Sequence, residues 1–206
     1  MPANLIYAVL LAAGQSSRYG TLKQMASLGE TTMLQSAIND ILASNIHALL
    51  IVLGADAELI RDTLNNSKMY SKAPLHVVNN PNWQDGMGAS LATGIRALPA
   101  EASHVLVCLG DQVALTSQHY ERLLDHARAN PNKIVCAQYA GINGAPAIFP
   151  RAFFADLCAL KRDQGARLII KNNPDKLAPL DLPKASIDID TRKDMQDWLQ
   201  RAHTSD

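Results

Sequence analysis

LIYAVLLAAG, Leu5–Gly14, is the stretch from which the rest of the chain can be read. Leu5–Leu11 is a continuous apolar run rich in β-formers and too short for an independent helix, so it predicts a strand buried on both faces. Similar runs recur at His47–Leu53, Leu75–Val78 and Val105–Leu109. Between them lie segments of helical periodicity: Thr32–Ala43, where Met33, Ala37, Ile38 and Ile41 share a face, then Ala57–Leu64, Met87–Leu98 and Gln118–Ala129. Buried strands separated by helices require crossover connections, which are normally right-handed and place helices on both sides of the sheet. The expectation is an α/β fold with one doubly wound, mainly parallel sheet.

Beyond residue 130 the rhythm loosens. Lys133–Tyr139 and Ala145–Phe149 read as strands joined by the loop AGINGAP. A helix from Arg151, a short helix after Gly165, a strand near Leu177–Leu180 and a last helix from Thr191 complete the chain, the last with Trp198 and Leu199 turned inward. No linker, repeat or low-complexity stretch interrupts residues 1–206, which read as one domain.

Composition narrows the function. The chain is 48% hydrophobic and 18% charged, which is ordinary for a globular protein. Nineteen basic residues balance nineteen acidic ones, so no broad cationic surface is available for a nucleic-acid backbone. The apolar runs LIYAVLLAAG and IHALLIVLGA are about half the ~20 residues a bilayer crossing needs, and no cationic segment precedes the first. Cys108, Cys136 and Cys158 are odd in number, lie in apolar surroundings and lack CxxC spacing, as reduced core thiols do. A cytoplasmic protein is expected, with neither nucleic acid nor membrane as partner.

Open α/β sheets bind ligands beyond the carboxyl ends of their strands. Four polar segments fall there: AAGQSSRYGTLK after the first strand, NNPNWQDGMGASL after the third, GDQ after the fourth, and DID before Thr191. In the first, Gly14 permits close backbone approach, Ser16 adds a hydroxyl, and Arg18 and Lys23 can reach phosphate oxygens. Anion capture is implied, although neither GxxxxGK[ST] nor GxGxxG is present. In the second, Asn80 can hydrogen-bond a base or ribose, and Gly86 and Gly88 can admit a phosphate to the start of the next helix. Trp83 reads equally as packing against a helix. Asp111 and Asp190 are candidate oxygen ligands for a hard cation, but each precedes a helix and reads also as a turn former or N-cap. Asp188 is the neighbour most easily confused with Asp190. The six histidines show no metal-binding spacing.

The first loop resembles the LAAGxSxRMGxxK signature of nucleotidyltransferases with a Rossmann-like fold, and most closely the molybdenum cofactor cytidylyltransferases. NPNWQDGMGASLATG is similar to that subgroup's second signature, CLGDQ to its metal motif, GINGAPAIF to its GxxGxPxxF segment, RDQGAR to its GDxGAR segment and DIDT to its closing acidic motif. These occur in the family's order from Leu11 to Thr191. Related guanylyltransferases carry LAGG where Ala12-Ala13-Gly14 stands, which in the family goes with cytosine at the base site.

The resemblance implies transfer of CMP from CTP to the phosphate of molybdopterin-bound molybdenum cofactor, with Mg²⁺ as cofactor and release of pyrophosphate. It assigns Arg18, Lys23 and Asp111 to catalysis and Asp111 and Asp190 to the metal. Leu11, Ala12, Ala13, Gly14, Ser16, Asn80, Gly86, Gly88 and Ser90 fall to the nucleotide; Gly144, Pro146 and Arg167 fall to the acceptor. A different phosphate acceptor, or a cofactor-delivery role toward a client molybdoenzyme, is the alternative. Three positions depart from the pattern: Tyr19 replaces Met, Val113 follows GDQ in place of Pro, and Arg162 replaces the first Gly of GDxGAR.

Overall fold

The computed structural model describes residues 5–16, 19–66 and 74–203. In chain order the elements are β1 (Ile6–Ala12), β2 (Ser27–Leu28), β3 (Thr31–Thr32), α1 (Met33–Leu42), β4 (Ala48–Leu53), α2 (Ala57–Asn66), β5 (Leu75–Asn79), α3 (Met87–Arg96), β6 (His104–Leu109) and α4 (Ser117–Ala129). The second half adds β7 (Ile134–Tyr139), β8 (Ile142–Pro150), α5 (Phe154–Ala159), α6 (Arg167–Asn172), β9 (Leu177–Asp181) and α7 (Arg192–His203). Seven strands form one sheet in the order β5-β4-β1-β6-β8-β7-β9, and β2 and β3 form a separate small antiparallel ribbon. Only β8 runs against the other strands of the large sheet.

The alternation of β1 builds both cores. Ile6, Ala8, Leu10 and Ala12 face one side, where they join Leu34 and Ile38 of α1, Ile60 of α2 and Leu123 of α4. Tyr7 and Val9 face the other, with Leu91 and Ile95 of α3, Leu157 of α5 and Ile169 of α6. Successive side chains of a strand point to opposite faces, so a continuous apolar run is what a sheet covered on both sides requires. Gly94 brings α3 close: a Cβ there would stand 2.7 Å from Val9 Cγ1 and 2.8 Å from Val52 Cγ2. A third cluster of Tyr19, Met33, Ile189 and Met195 seats Trp198 and Leu199 of α7.

Two expectations change. AGINGAP is not a connecting loop: Ala140 and Gly141, with φ of 48° and 73°, make the turn, and Ile142–Pro146 belongs to β8. β7 pairs Cys136 with Ala147 and then Ala137 with Gly144, so Ala145 and Pro146 form a bulge. A bulge is where a strand tolerates proline, which has no N–H to give the ladder. The β2–β3 ribbon is also new, its two-residue strands being too short to leave a periodic signal. Among the described residues no helix is long and apolar enough to cross a membrane.

The chain turns from β1 to β4 and β5 on one side, then returns to β6 on the other. The carboxyl ends of β1 and β6 therefore flank the point where the strand order reverses, and a crevice opens there.

Candidate active site

A cleft of about 370 Å³ occupies that crevice. Leu11, Ala12, Ala13, Gly14 and Ser16 line it from the first loop, Trp83, Gly86, Met87 and Ser90 from the start of α3, and Asp111 and Asp190 from the far side.

The first loop is held from beneath by a residue that motif reading passed over. Gln24, 6% exposed, donates from Nε2 to Ala12 O at 3.2 Å and Gly14 O at 2.9 Å, and its Oε1 accepts from Ser16 Oγ at 3.0 Å. Ser16 takes a left-handed φ of 56°, and its carbonyl accepts from the amides of Tyr19 and Gly20. The only sequence signal for Gln24 was its position beside Lys23. Arg18 lies outside the described residues.

Lys23 opens a short 3-10 turn, Lys23–Met25, and reaches across the cleft. Its Nζ lies 2.9 Å from Asp111 Oδ2 and 3.2 Å from Asp190 Oδ1. These carboxylates, 88 and 167 residues from it along the chain, thus converge on one ammonium. Both are spared the duty of capping a helix. Thr116 begins α4, its N–H donating to His119 Nδ1 at 2.9 Å. Thr191 begins α7: its Oγ1 accepts from Asp194 N at 3.2 Å, and Asp194 Oδ2 accepts from the amides of Asp190 and Thr191. The backbone couples the two acidic segments directly, Ile189 N donating to Asp111 O at 3.0 Å.

The electrostatics are those of crowded carboxylates. Burial raises the pKa of Asp188, the charges of Asp111 and Asp190 raise it further, and Lys23 opposes them. Asp188 is exposed whereas Ile189 is buried, so alternation points Asp188 and Asp190 alike away from the core. Asp111 Oδ1 is buried and accepts no hydrogen bond among the described residues. An orphaned carboxylate oxygen beside a second carboxylate fits a hard divalent cation, which binds oxygen ligands.

The residues of the second motif divide between the interior and the cleft. Asn80, 2% exposed, is consumed inside the protein: Nδ2 donates to Ser90 Oγ at 3.0 Å and Oδ1 accepts from Asn82 N at 3.1 Å. It shapes the turn between β5 and α3 and does not line the cleft. Gly88 packs beneath residues 161–164, and its amide is engaged by Arg162 O at 2.7 Å. Gly86 does line the cleft; its φ of 98° suits glycine, and a Cβ would stand 2.4 Å from the Arg162 carbonyl carbon. Trp83 combines the two readings, packing on Gly54 while lining the cleft.

The residues assigned to an acceptor stand apart from the cleft lining. A Cβ on Gly144 would stand 2.7 Å from the Tyr139 hydroxyl. Burial raises the pKa of Tyr139, the charge of Arg167 lowers it, and Asp188 and Asp111 raise it. Arg167 itself is exposed at the start of α6. Pro146 sits in the β8 bulge, whose Ala145 O accepts from Gln112 Nε2 at 2.9 Å; Gln112 also donates to Ala185 O at 2.8 Å. Of the thiols, Cys108 and Cys136 are buried and burial holds them protonated, Cys136 being pushed up to about 11.

Among known proteins, the chain is 29% identical over 198 residues to nicotine blue oxidoreductase of Paenarthrobacter nicotinovorans, covering 91% of this chain and 93% of the relative. It is 27% identical over 176 residues to the purine catabolism protein PucB of Bacillus subtilis, covering 84% and 83%. The crystal structure of Rv0371c from Mycobacterium tuberculosis superposes with a TM-score of 0.80 at 26% identity, covering 97% of this chain and all of that one. The sequence model of the MobA-like NTP transferase domain matches residues 8–177, from β1 to the start of β9. With that domain spanning most of the chain, on a mainly parallel sheet whose strand order reverses at the cleft, the protein belongs to the MobA-like NTP transferase family of nucleotidyltransferases.

Proposed function

We propose that this chain transfers CMP from CTP to the phosphate of molybdopterin-bound molybdenum cofactor, releasing pyrophosphate. The observation that carries the reading is the convergence of Lys23, Asp111 and Asp190 at one end of a cleft whose other wall is the Ala12–Ser16 loop. Such a cleft has a loop suited to receive an anion, a lysine ammonium and a pair of carboxylates, which together are what nucleotidyl transfer demands.

The acceptor phosphate needs no base to activate it, because a phosphate monoester carries about −1.5 to −2 charges at neutral pH. One of its oxygens attacks the α-phosphorus in line, the bond to the bridging oxygen of the β-phosphate breaks, and pyrophosphate departs with that electron pair. Asp111 and Asp190 would hold the divalent cation, Mg²⁺, which when bound would neutralise charge on the α-phosphate and the leaving group. Lys23, with Arg18 from the same loop, adds positive charge to the triphosphate, and the loop fixes its line of approach. Ala13 in place of a second glycine is the basis for cytosine over guanine.

Pyrophosphate release measured with CTP, GTP, ATP and UTP, each with and without molybdenum cofactor, tests the reading. CTP far above the others, only when the cofactor is present, is the expected result. Equal turnover of GTP would remove the base assignment.

A second reading keeps the donor chemistry and changes the acceptor. It is favoured by one observation: Gly144, Pro146 and Arg167 do not line the described cleft. A panel of sugar and polyol phosphates separates the two.

A further inference from the structure

We infer that Gln24 is a positioning residue that presets the first loop to receive a triphosphate, an assignment that rests on the nucleotidyltransferase reading. Three hydrogen bonds, at 2.9, 3.0 and 3.2 Å, spend its whole side-chain amide on the loop Ala12–Ser16. A glutamine amide has two donors and one carbonyl oxygen. Here both donor bonds go to main-chain carbonyls two residues apart, which fix the loop's conformation, and the oxygen takes the Ser16 hydroxyl.

The consequence follows from peptide geometry. In a trans peptide the carbonyl of one residue and the N–H of the next point in opposite directions. Binding Ala12 O and Gly14 O therefore turns the N–H groups of Ala13 and Gln15 away from the Gln24 amide. The opposing peptide is fixed from the other side, where Ala13 O accepts from Ala55 N at 3.2 Å. Together these bonds fix three consecutive peptides of the loop and leave two N–H groups, those of Ala13 and Gln15, on the face turned away from Gln24. They also hold Ser16 in its left-handed conformation, which a serine does not take without support.

Position in the chain adds a second role. Lys23 and Gln24 are adjacent on one turn; Lys23 grips the two carboxylates while Gln24 grips the loop. The pair acts as a gauge that sets the spacing between the donors for the triphosphate and the ligands for the cation. Without Gln24 the loop must be ordered at the moment of binding, and that cost falls on nucleotide affinity.

The test compares the wild-type chain with Gln24→Met, which keeps the volume and removes both donors, and Gln24→Ala, which lets water reach the two carbonyls. CTP with Mg²⁺ is titrated against tryptophan fluorescence, Trp83 lining the cleft, and Mn²⁺ binding without nucleotide is measured by electron paramagnetic resonance. The expected result is CTP affinity at least tenfold weaker in both variants, with Mn²⁺ affinity within about twofold of wild type and, in turnover, a rise in KM for CTP rather than a fall in kcat. A residue that merely stabilises the fold would weaken CTP and Mn²⁺ together. Unchanged CTP affinity in the variants, or an equal loss of both ligands, overturns the role of Gln24 while leaving the nucleotidyltransferase reading intact. A wild-type chain that binds no nucleoside triphosphate overturns both.

Discussion

Lys23 holds the place between two carboxylates. With Asp111 and Asp190 both within 3.2 Å of its ammonium, the site is partly neutralised from within, so a divalent ion arriving alone must compete with a resident charge. On the proposed function, a triphosphate would give Lys23 another partner and free the carboxylates for the metal. Replacing Lys23 with Met is expected to raise Mn²⁺ affinity in the absence of nucleotide while lowering turnover on the order of 10² to 10³, the usual loss when one charge is removed from a preorganised site. Metal titration followed by a pyrophosphate assay on the same preparation checks both halves. Weaker metal binding in the variant would mean that the ammonium organises the carboxylates rather than competing for them. The acidic pair and the lysine were legible as residues in motifs, but which carboxylate meets which cation was not, because contacts across 88 and 167 residues exist only once the sheet has brought β1 and β6 together. Asn80 shows the opposite limit. Its burial and its bonds to Ser90 and Asn82 belong to the fold and leave no trace in the motif that carries it.

At the scale of elements, helix α4 depends on an unprotonated ring. His119 Nδ1 accepts the Thr116 N–H, which imidazolium cannot do. Burial lowers the His119 pKa, and the charges of Lys184 and Arg122 push the same way. A histidine whose folded pKa is depressed contributes stability that is present above the ordinary value of 6.5 and is lost as pH falls through the lower folded value. His119→Gln keeps an acceptor at the third helical position without titrating. Thermal unfolding between pH 7.5 and 5 should therefore show a smaller decline for the variant than for the wild type, and parallel curves would exclude the cap as the source.

The elements themselves were largely readable. β1 and β4 announce themselves because strands buried on both faces must be apolar at every position, and α1 because Met33, Ile38 and Ile41 recur at helical spacing. The β8 extension was hidden by its composition, since Gly144 and Pro146 are turn residues that here occupy a strand. Gly144 leaves room for the Tyr139 hydroxyl, and Pro146 falls in a bulge where it owes no hydrogen bond.

For the whole molecule, ligand binding and folding are linked, because the cleft residues come from distant parts of the chain and exist together only in the native state. A ligand held by the folded form alone stabilises it by about 2.7 kcal/mol at a hundred times its Kd. For a chain of this length that corresponds to a rise of very roughly 5–10 °C in Tm. CTP with Mg²⁺ should produce such a rise in the wild type, and Asp111→Ala should abolish it. An equal shift in the variant would place the nucleotide somewhere other than the Asp111 cleft.

The bond from Arg192 Nε to Tyr19 O, at 3.2 Å, and the seating of Trp198 beside Tyr19 join the final helix to the opening loop. Asp190 arrives on that same returning segment, beyond the last strand of the sheet and beyond the 8–177 span of the family match. The strands of the sheet can therefore pair without Asp190, and the bond between Asp190 and Lys23 depends on how α7 is seated against the opening loop.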